Sequence, residues 1–425
     1  MTGPLSPAAA RRVYLTLTVT RWFPVGLVIG LFTLLALERG LSVGQATSYA
    51  AFSGIVVFLL ELPTSGFADA VGRRPVLLVA GVVNVVVGLL YLRAHTFWGF
   101  VVAAMAMGVY RALDSGPMDA WFVDTVHATD PGAEVAPTLS VQSAVLSGAI
   151  GVGAVGSGLL VAWHPFASRS ALELPLMAFV GLNVVHLGLT AVLLREHRQG
   201  SAPGAAERQL SDSVRQVPRV IGSGLNLLRH NRILAGLVTV ELFWVTAMTV
   251  FETFQPIRLA ELFGSESRAG EVMGPAAAAA WAMSALGAAL VARVSARIGV
   301  ARAAIWCRIL NGLGAAAMGL ATGPAGLITA YLLTYAVHGA GGPMHLTLLH
   351  READATNRST VLSMNSMVMF VGSALVSPLL GLLAQATTTQ TAMVTAGLVS
   401  VVGFWFYRPA LRDERHPDAT ARRGP

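Results

Sequence analysis

Twelve apolar stretches, most of them twenty residues or longer, run through this chain and leave only short polar connections between them. A hydrocarbon core about 30 Å thick takes about 20 helical residues to cross. Backbone polar groups find no partners in lipid, so only helices and closed barrels span it. The runs are too long and too continuous for the alternating ten-residue strands of a barrel. The 44 glycines fit helices that pack through small residues. Only 12% of the residues are charged, where a soluble domain carries about 25%. The chain therefore reads as an all-α membrane protein whose main solvent is lipid.

The apolar windows fall near 13–37, 46–68, 75–95, 97–121, 138–162 and 174–194, then near 232–256, 271–293, 302–321, 324–348, 360–384 and 390–409. The arrangement is six, a polar stretch, six. It implies an N-terminal bundle over 1–194, a linker over 195–231, a C-terminal bundle over 232–410 and a tail over 411–425. Within the linker, Leu210, Val214, Val217, Val220 and Ile221 suggest an amphipathic helix lying on the membrane face.

All 29 basic residues are arginine, and their distribution sets an orientation, because positively charged short loops stay in the cytoplasm. Arg11, Arg12, Arg73, Arg74, the linker arginines, the four from Arg293 to Arg308, Arg351, Arg358 and the tail fall on one side. Arg39, Arg93, Arg169, Arg258 and Arg268 fall on the other, while Arg21 and Arg111 lie inside spans. Both termini are then cytoplasmic. The formal charge of +7 comes without a basic patch interleaved with aromatics, so nucleic acid is not an expected partner. Cys307 is the single cysteine and cannot form an intramolecular disulfide.

The halves repeat weakly. Leu139-Ser140-Val141-Gln142-Ser143 matches Leu362-Ser363-Met364-Asn365-Ser366, the small-residue run Gly153 to Ser157 matches Ser377 to Gly381 with Pro378, and Gly72 matches Gly299, all at a nearly constant offset. Between the second and third spans stands Ser65-Gly66-Phe67-Ala68-Asp69-Ala70-Val71-Gly72-Arg73-Arg74. This loop resembles the signature of the major facilitator superfamily, matching it at Asp69, Gly72, Arg73 and Arg74 and departing from it at Ser65 and Ala70. In the second half Ala296 stands where the acid would be. The glycines of the fifth span, Gly153 and Gly156 among them, resemble the fifth-helix motif of facilitator antiporters without its Gly-Pro step. Further short matches resemble bacterial drug-efflux facilitators.

That resemblance implies two pseudo-symmetric six-helix bundles with twelve crossings, working by alternating access in the cell membrane. It also implies a cytoplasmic gate at Asp69, Gly72, Arg73 and Arg74, with Glu61 and Asp119 nearby, and close helix packing at Gly153, Gly156 and Pro378. No cofactor is implied.

Ionisable groups deep in a membrane are costly and mark functional positions. Glu241 lies roughly 14 Å into the seventh span at about 1.5 Å per residue and is the first candidate for a proton or substrate site. Arg111 and Asp114 sit three apart on the fourth span, where they can pair on one helix face. Arg21 and Glu252 are secondary candidates. His186, His338 and His345 read as packed core residues, and no metal-ligand spacing, nucleophile elbow or phosphate loop is found. The expected activity is proton-coupled export of hydrophobic, cationic small molecules such as antibiotics. Uptake of a sugar, nucleoside or carboxylate is the alternative, and a non-transporting receptor or a membrane enzyme comes behind both. The partners are a small-molecule substrate, protons and the lipid bilayer, and the working form is a monomer.

Overall fold

The computed structural model describes residues 5–195, 222–353 and 357–415, with the backbone alone described for 61–70 and 359. The expected amphipathic linker helix lies largely outside the described residues. The described residues are helical almost throughout. Its elements are α1 (Pro7–Leu27), α2 (Leu31–Glu38), α3 (Val43–Val71), α4 (Arg73–Arg93), α5 (Phe97–Asp114), α6 (Pro117–His127), α7 (Ala136–Trp163) and α8 (Glu173–Leu193). Helix α9 is described over 222–230. There follow α10 (Arg232–Thr249), a π-helical turn (Val250–Phe254), α11 (Gln255–Phe263), α12 (Glu266–Ile298), α13 (Val300–Leu320), α14 (Pro324–Glu352), α15 (Arg358–Ala386), α16 (Thr389–Val402), a 3-10 turn (Gly403–Tyr407) and α17 (Arg408–Arg415).

Among the described residues eleven helical stretches are long and apolar enough to cross a membrane. Helix α14 has 29 residues but does not meet the same hydropathy, because Tyr331, Tyr335, His338 and His345 interrupt its apolar run. Side chains such as Leu59, Leu159, Val192 and Leu379 are largely exposed, an arrangement that lipid favours and water penalises. The helices overrun the apolar windows, so that the eighth window, near 271–293, sits inside the longer α12, Glu266–Ile298.

The described residues form two compact units. The first comprises those of Met1–Leu41, Phe52–Val217 and Ser267–Ala278, and the second those of Ser42–Ala51, Pro218–Glu266 and Ala279–Pro425. In the first unit α1 lies directly against α7. A Cβ at Gly26 would strike the backbone of Ile150 and Ala154, and one at Gly153 would strike the carbonyl of Phe23. Glycine here lets two backbones touch. Helix α1 gives way to α2 at Gly30, whose φ of 70° is accessible to glycine at little cost. A carbonyl released at this break, that of Leu27, accepts a 2.7 Å hydrogen bond from Ser157 Oγ. Toward the other end of α1, Tyr14, Leu17, Trp121 and Phe122 share an apolar core.

In the second unit Asn231 caps α10, its Oδ1 accepting from the amides of Ile233 and Leu234 at 2.9 Å each. That cap satisfies two of the orphan donors at a helix start. Leu237, Val240, Leu348 and Tyr407 lie in the apolar core. Helices α10, α13, α14 and α15 surround a polar cavity beside it.

Candidate functional site

The second unit holds a cavity of about 330 Å³ lined from five elements. Helix α10 contributes Glu241 and Trp244, α13 contributes Arg308 and Asn311, and α14 contributes His338 and His345. Asn365 of α15 and Tyr407 of the 3-10 turn complete the polar wall. Each of these groups is carried by a long helix or a helical turn.

Glu241 is 4% exposed and His345 6% exposed, and Oε1 of the glutamate lies 2.9 Å from Nε2 of the imidazole. The same nitrogen is 3.0 Å from Asn365 Oδ1. Two acceptors around Nε2 assign it the hydrogen. The other ring nitrogen, Nδ1, is 2.8 Å from the hydroxyl of Tyr407, which also accepts from Arg308 Nη2 at 3.3 Å. A phenol can donate to Nδ1 when the imidazole is neutral and accept from it when the imidazole is charged. The site can therefore take up or release one proton with every hydrogen bond kept.

Arg308 is 7% exposed. Among the described residues it faces no carboxylate within ion-pairing distance; its contacts are Tyr407 and, at 5.7 Å, the ring of Trp244. The Trp244 ring stacks on His338 with centroids 5.4 Å apart and an interplanar angle of 8°. Three buried polar atoms in this wall have no hydrogen-bond partner among the described residues: Arg308 Nε, Asn311 Oδ1 and His338 Nδ1.

The first unit has its own buried ion pair. Arg21 of α1 meets Asp114, the last residue of α5, both through the carboxylate and through the backbone carbonyl at 3.3 Å. The expected partner of Asp114 was Arg111, three residues before it. The structure brings Arg21 to the buried carboxylate, while Arg111 is exposed. The reason is geometric: α5 stops at Asp114, and the chain turns at Gly116 with φ of 92°, so the terminal carboxylate points toward α1. About two turns back along α1, Tyr14 donates to Asp119 Oδ1 at 2.6 Å, and beside Arg21 the Thr20 Oγ1 lies 2.9 Å from His186 Nδ1.

Of the gate residues read from the loop, Gly72 has φ of 104° at the start of α4. Arg73 lies 3.6 Å from Asp124, and Arg74 donates to the carbonyl of Ala191 at 2.8 Å. The side chains of Glu61 and Asp69 lie outside the described residues. In the second half Gly299 repeats the turn with φ of 90°. Beyond this turn Glu414 accepts from the amides of Val300 and Ala301 at 2.9 and 3.0 Å and from Arg351 at 3.0 Å.

Glu252 lies in the π turn and accepts from the Tyr335 hydroxyl at 2.7 Å. Among the packing glycines, Gly153 has no room for a side chain, whereas Gly156 has ordinary clearance, with Leu27 at 3.6 Å. Pro378 stands inside α15, which continues past it.

Sequence reasoning singled out Glu241 and did not connect Arg308 or His345 with it. Arg308 was counted among the cytoplasmic arginines, yet it sits in the third turn of α13, well inside the helix. His345 read as an isolated core histidine. The usable signal was the coincidence of both with Glu241 at similar helical depth, roughly 10 to 14 Å from the polar ends of their helices at about 1.5 Å per residue.

The Major Facilitator Superfamily model matches residues 14–336 and 256–425, and the chain belongs to that superfamily. It is a multi-pass membrane protein with the transporter fold of that group. Among solved structures it is similar to the nucleoside transporter NupG at 12% identity and a TM-score of 0.73, covering 94% of this chain and 98% of that one. It is also similar to a peptide transporter POT in complex with sulfate, at 13% identity and a TM-score of 0.72, covering 95% of each chain. The human organic anion transporter MFSD10 matches at 16% identity with a TM-score of 0.59, covering 94% of this chain and 99% of that one. No curated protein matches the sequence.

Proposed function

We propose that this protein is a proton-coupled secondary transporter of a small polar solute, working by alternating access, with the Glu241–His345 pair as the proton site. The observation that carries this reading is a buried acid and base 2.9 Å apart on a cavity wall, wired to Tyr407 so that one proton can come and go. Keeping two ionisable groups buried at membrane depth is expensive unless they serve a function. The likeness in fold to nucleoside and peptide transporters supports a polar solute. Export of a hydrophobic cation, the first expectation from sequence, fits less well, because a buried guanidinium stands in the same cavity.

In this reading the chain crosses the cell membrane twelve times with both termini in the cytoplasm, α14 supplying the crossing that its polar residues disguise. The halves are 1–194 and 232–410, the gate lies at Glu61, Asp69, Gly72, Arg73, Arg74 and Asp119, and the Arg21–Asp114 pair holds the first half together. The protein works as a monomer and takes up its solute with the proton gradient.

The test uses proteoliposomes loaded with a pH-reporting dye. Uridine, a dipeptide and an aromatic carboxylate are each added outside, and internal pH is followed. Acidification on addition of one solute, lost in Glu241→Gln, is the expected result. Solute entry without any pH change, in wild type and variant alike, overturns the proton-coupled reading.

A further inference from the structure

The cavity wall contains more unpaired polarity than a proton relay requires. Glu241, His345, Asn365 and Tyr407 satisfy one another. Arg308, 7% exposed, touches that set only through Nη2, which donates to the Tyr407 hydroxyl at 3.3 Å, and its Nε is buried without a partner among the described residues. A buried charge with an unmade hydrogen bond is costly unless something else supplies the acceptor. Two more groups are left open beside it, Asn311 Oδ1 and His338 Nδ1. Asn311 Nδ2 is already used on the carbonyl of Thr334 at 3.3 Å, so its free oxygen calls for a donor. The Trp244–His338 stack offers a flat apolar surface in the same wall.

We infer that this cavity binds a small planar organic carboxylate that also carries a hydroxyl or amino donor, with Arg308 gripping the carboxylate, Asn311 accepting from the donor and Trp244 covering the ring. This rests on the transporter reading given above and names its substrate class. Guanidinium and carboxylate match as a two-pronged charge-assisted pair. A volume of about 330 Å³ is at the small end of ligand cavities, so the solute is of metabolite size.

Charge counting also gives the direction of coupling. The titratable and charged groups facing the cavity are Glu241 on α10, Cys307 and Arg308 on α13, His338 and His345 on α14, and Tyr407 on the 3-10 turn. With His345 neutral, Glu241 and Arg308 cancel. Protonating the pair leaves the cavity with a net positive charge, which attracts an anion. By reciprocity the anion promotes protonation, so carboxylate and proton travel together.

The experiment measures binding of 4-hydroxybenzoate to the purified full-length protein by calorimetry, with 4-hydroxybenzamide and 4-hydroxybenzylamine as neutral and cationic counterparts. The carboxylate is expected to bind at least about tenfold more tightly than either. Its affinity is expected to rise about fivefold or more between about pH 8 and about pH 6, a dependence lost in Glu241→Gln. Arg308→Gln is expected to lose the preference for the carboxylate and Arg308→Lys to recover part of it. Should the arginine variants fail to fold, competition between benzoate and benzamide on the wild type reads the same preference. Binding of the amide or amine as tightly as the carboxylate, no binding of any carboxylate, or full affinity in a folded Arg308→Gln overturns the inference. Carboxylate binding without proton movement in the liposome assay leaves the anion site standing and removes the coupling. Proton movement with a neutral solute, unchanged in Arg308→Gln, does the reverse.

Discussion

Glu241 on α10 and His345 on α14 are joined at 2.9 Å inside the second unit. The first unit has a related pair, Arg21 on α1 and Asp114 on α5. In window order both pairs link the first span of a half to its fourth. The polarity is reversed: base on the first span and acid on the fourth in one half, acid on the first and base on the fourth in the other. The two pairs differ in their surroundings, since only Glu241 and His345 belong to the wall of the cavity described above. Four expectations follow from this and from the packing around it.

Glu241→Gln keeps the shape of the side chain and removes its charge. Gradient-driven solute uptake in proteoliposomes is expected to fall about 100-fold, as for loss of a proton-transfer group, while solute exchange at equal pH on both sides stays within about threefold. Equal losses in both assays would show that Glu241 binds solute or supports the fold without carrying the proton.

Arg21→Gln leaves the Asp114 carboxylate buried beside an uncharged partner. Removing one member of a buried pair costs about 3–5 kcal/mol, so the variant is expected to melt well below wild type in detergent. Asp114→Asn in the same chain is expected to restore much of the loss, because no uncompensated charge then remains. A double variant no more stable than Arg21→Gln alone would show that the guanidinium itself, through the Asp114 carbonyl and Trp22, holds the helices.

Gly153→Leu is expected to block folding or lower melting severely, since even a Cβ there meets the Phe23 carbonyl. Gly151→Ala lies in the same helix with nothing within 4 Å of the added atom. It is expected to be neutral or to stabilise by up to about 1 kcal/mol through helix propensity. Thermal melting of the two side by side checks the pair.

Glu414→Gln weakens the cap on α13 and the contact with Arg351. The expected cost is about 1 kcal/mol, chiefly from the cap, because the exposed ion pair adds little. Hydrogen exchange at Val300 and Ala301 should rise before the rest of α13 responds; unchanged protection there would remove Glu414 from its capping role.

Much of this architecture was legible because lipid leaves a chain few choices. Long apolar runs must be helices, and the loop from Ser65 to Arg74 carries the family signature. The site was harder to read for a physical reason. Glu241 stands out alone, since an acid in an apolar run is costly and, apart from a neutral glutamate hydrogen-bonded to a neighbouring helix, points to a functional position. Arg308 does not, because an arginine near a helix start looks like a loop charge until the helix is seen to begin at Val300. His345 gains meaning only from a partner on another helix. Asp114 was assigned its sequence neighbour Arg111, since spacing on one helix is visible in a sequence and the approach of α1 is not.

The π turn at Val250–Phe254 holds one residue more than an α turn would. It takes up that residue within a single widened turn between α10 and α11, so the helix runs on through it. Deleting one residue from this turn would restore a plain α turn and leave both Gln255–Phe263 and the Glu241 end facing as they do now, whereas the same deletion elsewhere in the helix would swing everything beyond it by about 100°. Changes in length within this helix are therefore best absorbed here, where the chain can drop a residue and keep its buried acid aimed at His345.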